Sequence, residues 1–280
     1  MKVTVIGAGT MGAGIAGQSA LCGFETNLYD ITVEALEHGV KHVNATYDKG
    51  VSRAKITEND VVAARARLTV SADLREAIAS ADLVVEAIPE KMDLKQSLFE
   101  RIEAWVQPNT ILATNTSSLS ISSMASVLTH PDRFVGLHFF NPVAVMKLLE
   151  IVRGQMTSET TIQRAIEFAR HLRKDHILVN DVPGFATSRL GITLGNEAMR
   201  MLEQGVASAE DIDKAMVLGY RHPIGPLALS DLVGLDVRLA ITQHLHREIG
   251  TDVFKPPKIL MEKVERGELG RKTKHGFFHY

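Results

Sequence analysis

The sequence contains a single cysteine, Cys22, in 280 residues. One thiol can neither close an intrachain disulfide nor build a cysteine-rich zinc site, and such usage fits a reducing compartment. No run approaches the roughly 20 consecutive apolar residues that a membrane helix requires. The first residues read as a strand and not as a charged leader with a hydrophobic core, so a cytoplasmic protein is expected. An excess of charge of one sign is also missing, because 31 Lys and Arg stand against 33 Asp and Glu, a formal −2. So weak a field draws in neither nucleic acid nor an acidic membrane surface, and neither is expected as a partner. No repeat recurs at a fixed period and no tract is of low complexity, which excludes solenoids and tethered arrays. What remains is an ordinary globular composition, 45% hydrophobic and 23% charged. At roughly 100–200 residues per domain, the length suggests about two domains.

Short β-branched runs alternate with helical stretches through the first part of the chain: Lys2–Gly7, Glu25–Asp30, Asp82–Ile88, Thr110–Asn115, Arg133–Phe140, Lys147–Val152 and His176–Asn180. That alternation predicts an α/β domain with a mostly parallel sheet and helices on both faces. After Asp181 the strand signal stops, and the helical pattern begins at Gly184. Apolar residues then recur at helical spacing through Ala186–Leu202, Ala209–Leu218, Leu232–Ile249 and Lys258–Val264. The expected organisation is therefore a sheet domain over 1–181 and a smaller, all-helical domain over 182–280. At the join, Asp181 is expected to cap the following helix, with Pro183 suited to its first turn.

Gly7-Ala8-Gly9-Thr10-Met11-Gly12 follows the strand Val3-Thr4-Val5-Ile6 and opens a helix that runs to about Cys22. Gly7 allows a tight turn, Gly9 lets the backbone approach a pyrophosphate, and Gly12 lets the helix pack on the strand. Free N–H groups at the helix start face the anion. A bare glycine pattern is weak, but here strand, turn and helix stand in order, and Asp30 ends the next strand near the offset of about 20 residues seen in Rossmann-like domains. A carboxylate there accepts from both adenosine ribose hydroxyls and repels a 2′-phosphate, so NAD is expected over NADP.

Two polar anomalies mark the later strands. His138 sits in the apolar run Gly136-Leu137-His138-Phe139-Phe140, and Glu150 lies between Leu149 and Ile151. A lone histidine in such a strand is more often a core residue bonded to a carbonyl. If the two strands fold back about Ala144, however, His138 lies directly opposite Glu150, within hydrogen-bond reach. The carboxylate then fixes the imidazole tautomer and stabilises the imidazolium formed on proton uptake. Oxidation of an alcohol needs such a base while hydride leaves for a nicotinamide. The competing reading is a structural pair that only satisfies itself.

Asn115-Thr116-Ser117-Ser118 lies at the carboxyl end of a strand, where ligands of open α/β sheets bind. Ser117 is expected to meet substrate, and Ser118 to cap a helix starting near Leu119. Glu90 and Lys95, just after the strand Asp82–Ile88, face the same side; the bland alternative is a surface pair of little consequence.

These residues fall in motifs that resemble the short-chain L-3-hydroxyacyl-CoA dehydrogenase family, of the bacterial 3-hydroxybutyryl-CoA dehydrogenase type. The motifs are GAGTMG at Gly7–Gly12, DLVVEAIPE at Asp82–Glu90, NTSSL at Asn115–Leu119, GLHFFNPV at Gly136–Val143, MKLLEIV at Met146–Val152, DVPGF at Asp181–Phe185 and GRKTKHGFF at Gly270–Phe278. The resemblance implies NAD-dependent, reversible oxidation of an L-3-hydroxyacyl-CoA, as in fatty acid metabolism. It makes His138 the general base, Glu150 its orienting partner and Ser117 a partner of the substrate oxygen. It places the cofactor on Gly7–Gly12, Asp30, Glu90, Lys95, Ser117 and Asn141, and CoA on an arm carrying Thr46 and Arg53, with Lys49 and Lys55 nearby. A solvated basic face is the plain alternative for that arm. Where the family commonly has Asn in the catalytic site, this chain has Ser188, with one hydroxyl on a shorter reach. On the same helix face, Gly191 and Gly195 suggest a close approach, to substrate or to another helix. The family's helical domain forms dimers, so a homodimer is expected. The alternatives are a dehydrogenase of sugar acids such as L-gulonate and a non-catalytic, crystallin-like NAD-binding protein.

Overall fold

In the computed structural model, which describes all 280 residues, eight strands form one sheet. They are β1 (Lys2–Ile6), β2 (Glu25–Tyr29), β3 (Leu68–Ser71), β4 (Leu83–Glu86), β5 (Ile111–Thr114), β6 (Phe134–Phe139), β7 (Leu148–Arg153) and β8 (Asp175–Asn180). Their order is β3-β2-β1-β4-β5-β6-β7-β8. Neighbours are parallel except β6 and β7, which are antiparallel. The order runs outward in both directions from β1 and β4, so the switch point where such sheets bind ligands lies beyond the carboxyl ends of these two strands.

The chain divides into two compact units, Met1–Asp181 and Val182–Tyr280. The sheet and the helices α1 (Thr10–Leu21), α2 (Val33–Ser52), α3 (Glu58–Arg67), α4 (Leu74–Ile78), α5 (Met92–Glu103), α6 (Ile121–Ala125) and α7 (Glu159–His171) make the first. Every residue of β4, β5 and β6 is buried, as expected for strands covered on both faces. A polar residue in such a strand is costly unless it is paired. Glu86, Thr114 and His138 are therefore the places to look for partners.

Seven strands occur where the sequence places them, within a residue or two. The eighth, β3, carries no buried residue and pairs on one side only, so it lacks the apolar run that reveals a strand. Asp181 also departs from expectation. It does not cap the next helix, which starts only at Thr187 after a turn in which Gly184 and Phe185 have positive φ. Its carboxylate instead accepts from the N–H of Ile121 (3.0 Å) and Ser122 (2.7 Å) and from the Ser120 hydroxyl (2.8 Å), capping α6 across the sheet edge.

The second unit is helical: α8 (Thr187–Glu203), α9 (Ala209–Lys214), α10 (Pro226–Val233), α11 (Leu235–Ile249) and α12 (Lys258–Glu265). The single helix expected over Leu232–Ile249 is two, broken at Gly234 with φ 103°. Gly191 and Gly195 do mark a close approach, to the neighbouring α11. Arg238, 5% exposed, donates to the Gly191 carbonyl at 2.8 Å, and a Cβ on Gly195 would collide with the guanidinium. Burial lowers the Arg238 pKa to about 10. Asp231 ties the tail to α10 by accepting from the N–H groups of Phe277 and Phe278, each at 2.9 Å. No helix is long and apolar enough to cross a membrane.

Candidate active site

β1 delivers the chain into Gly7–Gly12 at the switch point. Gly7 has φ 105°, and a Cβ there would come within 2.7 Å of the Ala87 carbonyl oxygen. A Cβ on Gly12 would lie 1.7 Å from the Gly7 carbonyl oxygen, so only glycine lets α1 sit this close to the turn. Above Gly9 the space is open, with no atom within 4 Å of an added Cβ. Asp30 follows β2, accepting from the Ala8 N–H (2.7 Å) and the Ile31 N–H (2.7 Å). Gly7 to Met11, Asp30 and residues 87–89 line one cleft of about 890 Å³, and His38 and Arg101 complete its wall. An accessible glycine backbone, a helix N-terminus and an acid at the end of the second strand fit the pyrophosphate and ribose of NAD. Nothing near Arg101 in the sequence marks it, because only the fold brings α5 beside the end of β2.

Glu90 is exposed, but its partner Lys95 is not. Lys95 is 1% exposed, and its Nζ lies 2.6 Å from Oε1 of Glu86, 3.2 Å from Oε2 of Glu90 and 3.4 Å from the Ile88 carbonyl. Lys95 thus turns inward from the cofactor cleft. Glu86, the last residue of β4 and fully buried, also accepts from the Ile88 N–H (2.6 Å) and the Thr114 hydroxyl (2.6 Å). Burial raises the Glu86 pKa, against the pull of Lys95. For Glu90 burial acts the same way, but Lys95 and the donors of Thr116 and Ser117 outweigh it and hold the carboxyl below its ordinary range. Oε1 of Glu90 takes a short hydrogen bond from the Thr116 hydroxyl and another from the Ser117 N–H at 3.0 Å. Ser118 was expected to cap a helix, but its hydroxyl points to Glu90 (3.3 Å), and Ser120 caps α6.

His138 and Glu150 are directly opposed in the β6–β7 ladder. Nδ1 of His138 lies 2.6 Å from Oε2 of Glu150, with the residues 5% and 0% exposed. With Glu150 ionised, and so able only to accept, the ring hydrogen sits on Nδ1 and the basic lone pair on Nε2. Phe140 packs against the imidazole, with ring centroids 4.4 Å apart. Asn115, just past β5, accepts the Phe139 N–H at 2.9 Å and so locks the exit of β5 to that of β6. Ser117, half-buried, leaves β5 on this same edge, and Asn141 is exposed beyond β6. Ser188 is the second residue of α8, half-buried in the other unit.

Of the four residues singled out on the arm, Thr46 and Lys55 line a separate cavity of about 290 Å³ against α1, whereas Lys49 and Arg53 are exposed outside it. Residues 144–147 and the end of α7 close the cavity, adding Lys147, Arg173 and Lys174. No acidic residue lines it. Lys174 is buried and donates to the carbonyls of Val143 and Met146, each at 2.7 Å. Burial lowers its pKa. The sequence did not point to these three cations, since they come from elements far from the arm.

Residues 2–182 match the family model of the 3-hydroxyacyl-CoA dehydrogenase NAD binding domain, and residues 184–280 match that of the 3-hydroxyacyl-CoA dehydrogenase C-terminal domain. The chain belongs to the 3-hydroxyacyl-CoA dehydrogenase family. It is 42% identical over 279 residues to a probable 3-hydroxybutyryl-CoA dehydrogenase of Bacillus subtilis (strain 168), covering 100% of this chain and 97% of the relative. It is 41% identical over 285 residues to the mitochondrial hydroxyacyl-coenzyme A dehydrogenase of Homo sapiens, covering 99% and 90%. Among solved structures, the (S)-3-hydroxybutyryl-CoA dehydrogenase of Ralstonia eutropha superposes with a TM-score of 0.95 at 42% identity, covering 100% of this chain and 98% of the other. Within the first unit of this 3-hydroxyacyl-CoA dehydrogenase, Gly7–Gly12, Asn115–Leu119 and His138 lie at or just beyond the carboxyl ends of β1, β5 and β6.

Proposed function

We propose that this chain catalyses the NAD-dependent, reversible oxidation of an L-3-hydroxyacyl-CoA, such as 3-hydroxybutyryl-CoA, to the 3-ketoacyl-CoA. The observation that carries this reading is the His138–Glu150 pair, buried and in register at the ligand edge of the sheet. Nε2 of His138 takes the substrate hydroxyl proton. Glu150 holds the Nδ1 hydrogen, fixes the ring and stabilises the imidazolium. Bound NAD supplies the hydride acceptor. Ser117 donates to the reacting oxygen, and Ser188 stands at the family's asparagine position with a shorter reach. Asp30 receives the adenosine ribose hydroxyls and, being anionic, discriminates against a 2′-phosphate. Gly7–Gly12, Glu90, Lys95, Ser117 and Asn141 would hold the rest of the cofactor.

CoA binds across the arm at Thr46 and Lys55. The adjoining cavity supports this reading, because a cation-lined, acid-free wall suits its phosphates. Lys49 and Arg53 add charge at the exposed rim. The working form is a cytoplasmic homodimer built through 182–280, a domain that leaves Leu190, Leu218 and Tyr220 more than 70% exposed (71%, 74% and 76%). Exposed large apolar side chains such as these are available to bury against a second copy.

The test is NADH formation from 3-hydroxybutyryl-CoA, with L-gulonate as the competing substrate. Turnover of the thioester with NAD and not with NADP supports the reading; preferential turnover of L-gulonate, or none of either, contradicts it.

A further inference from the structure

Glu86 takes no part in the chemistry proposed above, yet it is a fully buried carboxylate at the switch point of the sheet. Every one of its bonds leads toward the active edge. One oxygen accepts from the Thr114 hydroxyl, at the end of β5. The other accepts from the Ile88 N–H and from Lys95, whose Nζ is also within reach of the Ile88 carbonyl and of Glu90. Glu90 in turn receives Thr116, Ser117 and Ser118. Besides the Asn115–Phe139 bond, the anchors of the 114–118 turn at Thr114 and at Thr116–Ser118 therefore run back to one acid.

Two carboxylates share one ammonium in this cluster. A buried lysine with a single counter-ion would draw Glu90 more strongly, and away from the Thr116 hydroxyl and the Ser117 N–H. With Glu86 in place, Lys95 is held by the sheet, and Glu90 keeps Oε1 on the turn while only Oε2 meets the ammonium. We infer that Glu86 is a positioning residue: acting through Lys95 and Glu90, it sets the position of the Thr116–Ser117 turn on which the substrate is proposed to lie. Its catalytic consequence rests on the reading of Ser117 as a substrate contact, whereas its mechanical claim does not.

Amide hydrogen exchange of the purified enzyme reads the brace directly, with acetoacetyl-CoA reduction followed in the same variants. In Glu86→Gln, which keeps the size of the side chain, exchange over residues 115–119 rises at least about tenfold while the rest of the sheet keeps its protection. In Glu86→Gln/Lys95→Met, where the buried ammonium is removed with its buried counter-ion and the Glu90 carboxylate left behind is exposed to water, thermal stability recovers but fast exchange over 115–119 persists. The kcat of Glu86→Gln falls, and the loss is not additive with that of Ser117→Ala. Unchanged exchange over 115–119, or loosening spread evenly over the domain, overturns the inference. Losses in kcat that add with those of Ser117→Ala overturn the route through Ser117. Local loosening with undiminished kcat upholds the brace and removes Ser117 from the proposed chemistry instead.

Discussion

His138 and Glu150 face each other across an antiparallel pair, side chain to side chain, in an otherwise parallel sheet. The reversal at β7 is what makes this possible. A parallel neighbour would have needed a long crossover, whereas a short return after Asn141-Pro142 sets the two residues opposite each other by register alone. Glu150→Gln keeps the shape of the side chain but not its charge. Its kcat for acetoacetyl-CoA reduction is expected to fall at least about tenfold, since the imidazolium loses its counter-charge, while the Kd for NADH stays within about twofold. Steady-state kinetics paired with fluorescence titration check both.

The cation-lined cavity predicts a division between substrates. Lys147→Ala should raise KM for acetoacetyl-CoA by several-fold and leave KM for acetoacetyl-pantetheine, which lacks the nucleotide, unchanged. Equal effects on the two thioesters would separate this wall from CoA.

Ser188→Asn restores the family's usual residue. Activity is expected to stay within about an order of magnitude of wild type or to rise, because the amide only lengthens a hydrogen-bonding reach. A collapse in kcat would mean that this site is built around the smaller side chain.

Glu90 also carries a pH signature. Its carboxyl is held below the ordinary 4.5 by Lys95 and the Thr116 and Ser117 donors, against the upward push of burial. A depressed carboxyl stabilises the fold fully above its ordinary value and loses that contribution as pH falls through the depressed one. The gap in Tm between wild type and Glu90→Gln should therefore be widest near neutrality and close as the pH drops below about 4.5.

Much of this site could be read in the sequence because its signals are local. Gly7–Gly12 announces itself by order and spacing, and His138 and Glu150 are anomalous within apolar strands whose register follows from one short turn. Glu86 carries no such signal, because it ends Leu83-Val84-Val85 where strand-end acids are common, and nothing nearby in the chain shows that Lys95 folds back onto it. Asp181 reads in the sequence as the cap of the helix that follows it, for a similar reason. Its true partners, Ser120 to Ser122, are distant in sequence and reach it only through the sheet. The strand β3 escaped because an exposed edge leaves no hydrophobic pattern.

The most direct measurement is the kcat of His138→Gln with acetoacetyl-CoA and NADH, alongside its Kd for NADH. The account predicts a loss of about 10²–10⁴ in kcat with cofactor affinity nearly intact, as for removal of a general acid–base group. Near-full turnover in that variant would contradict it.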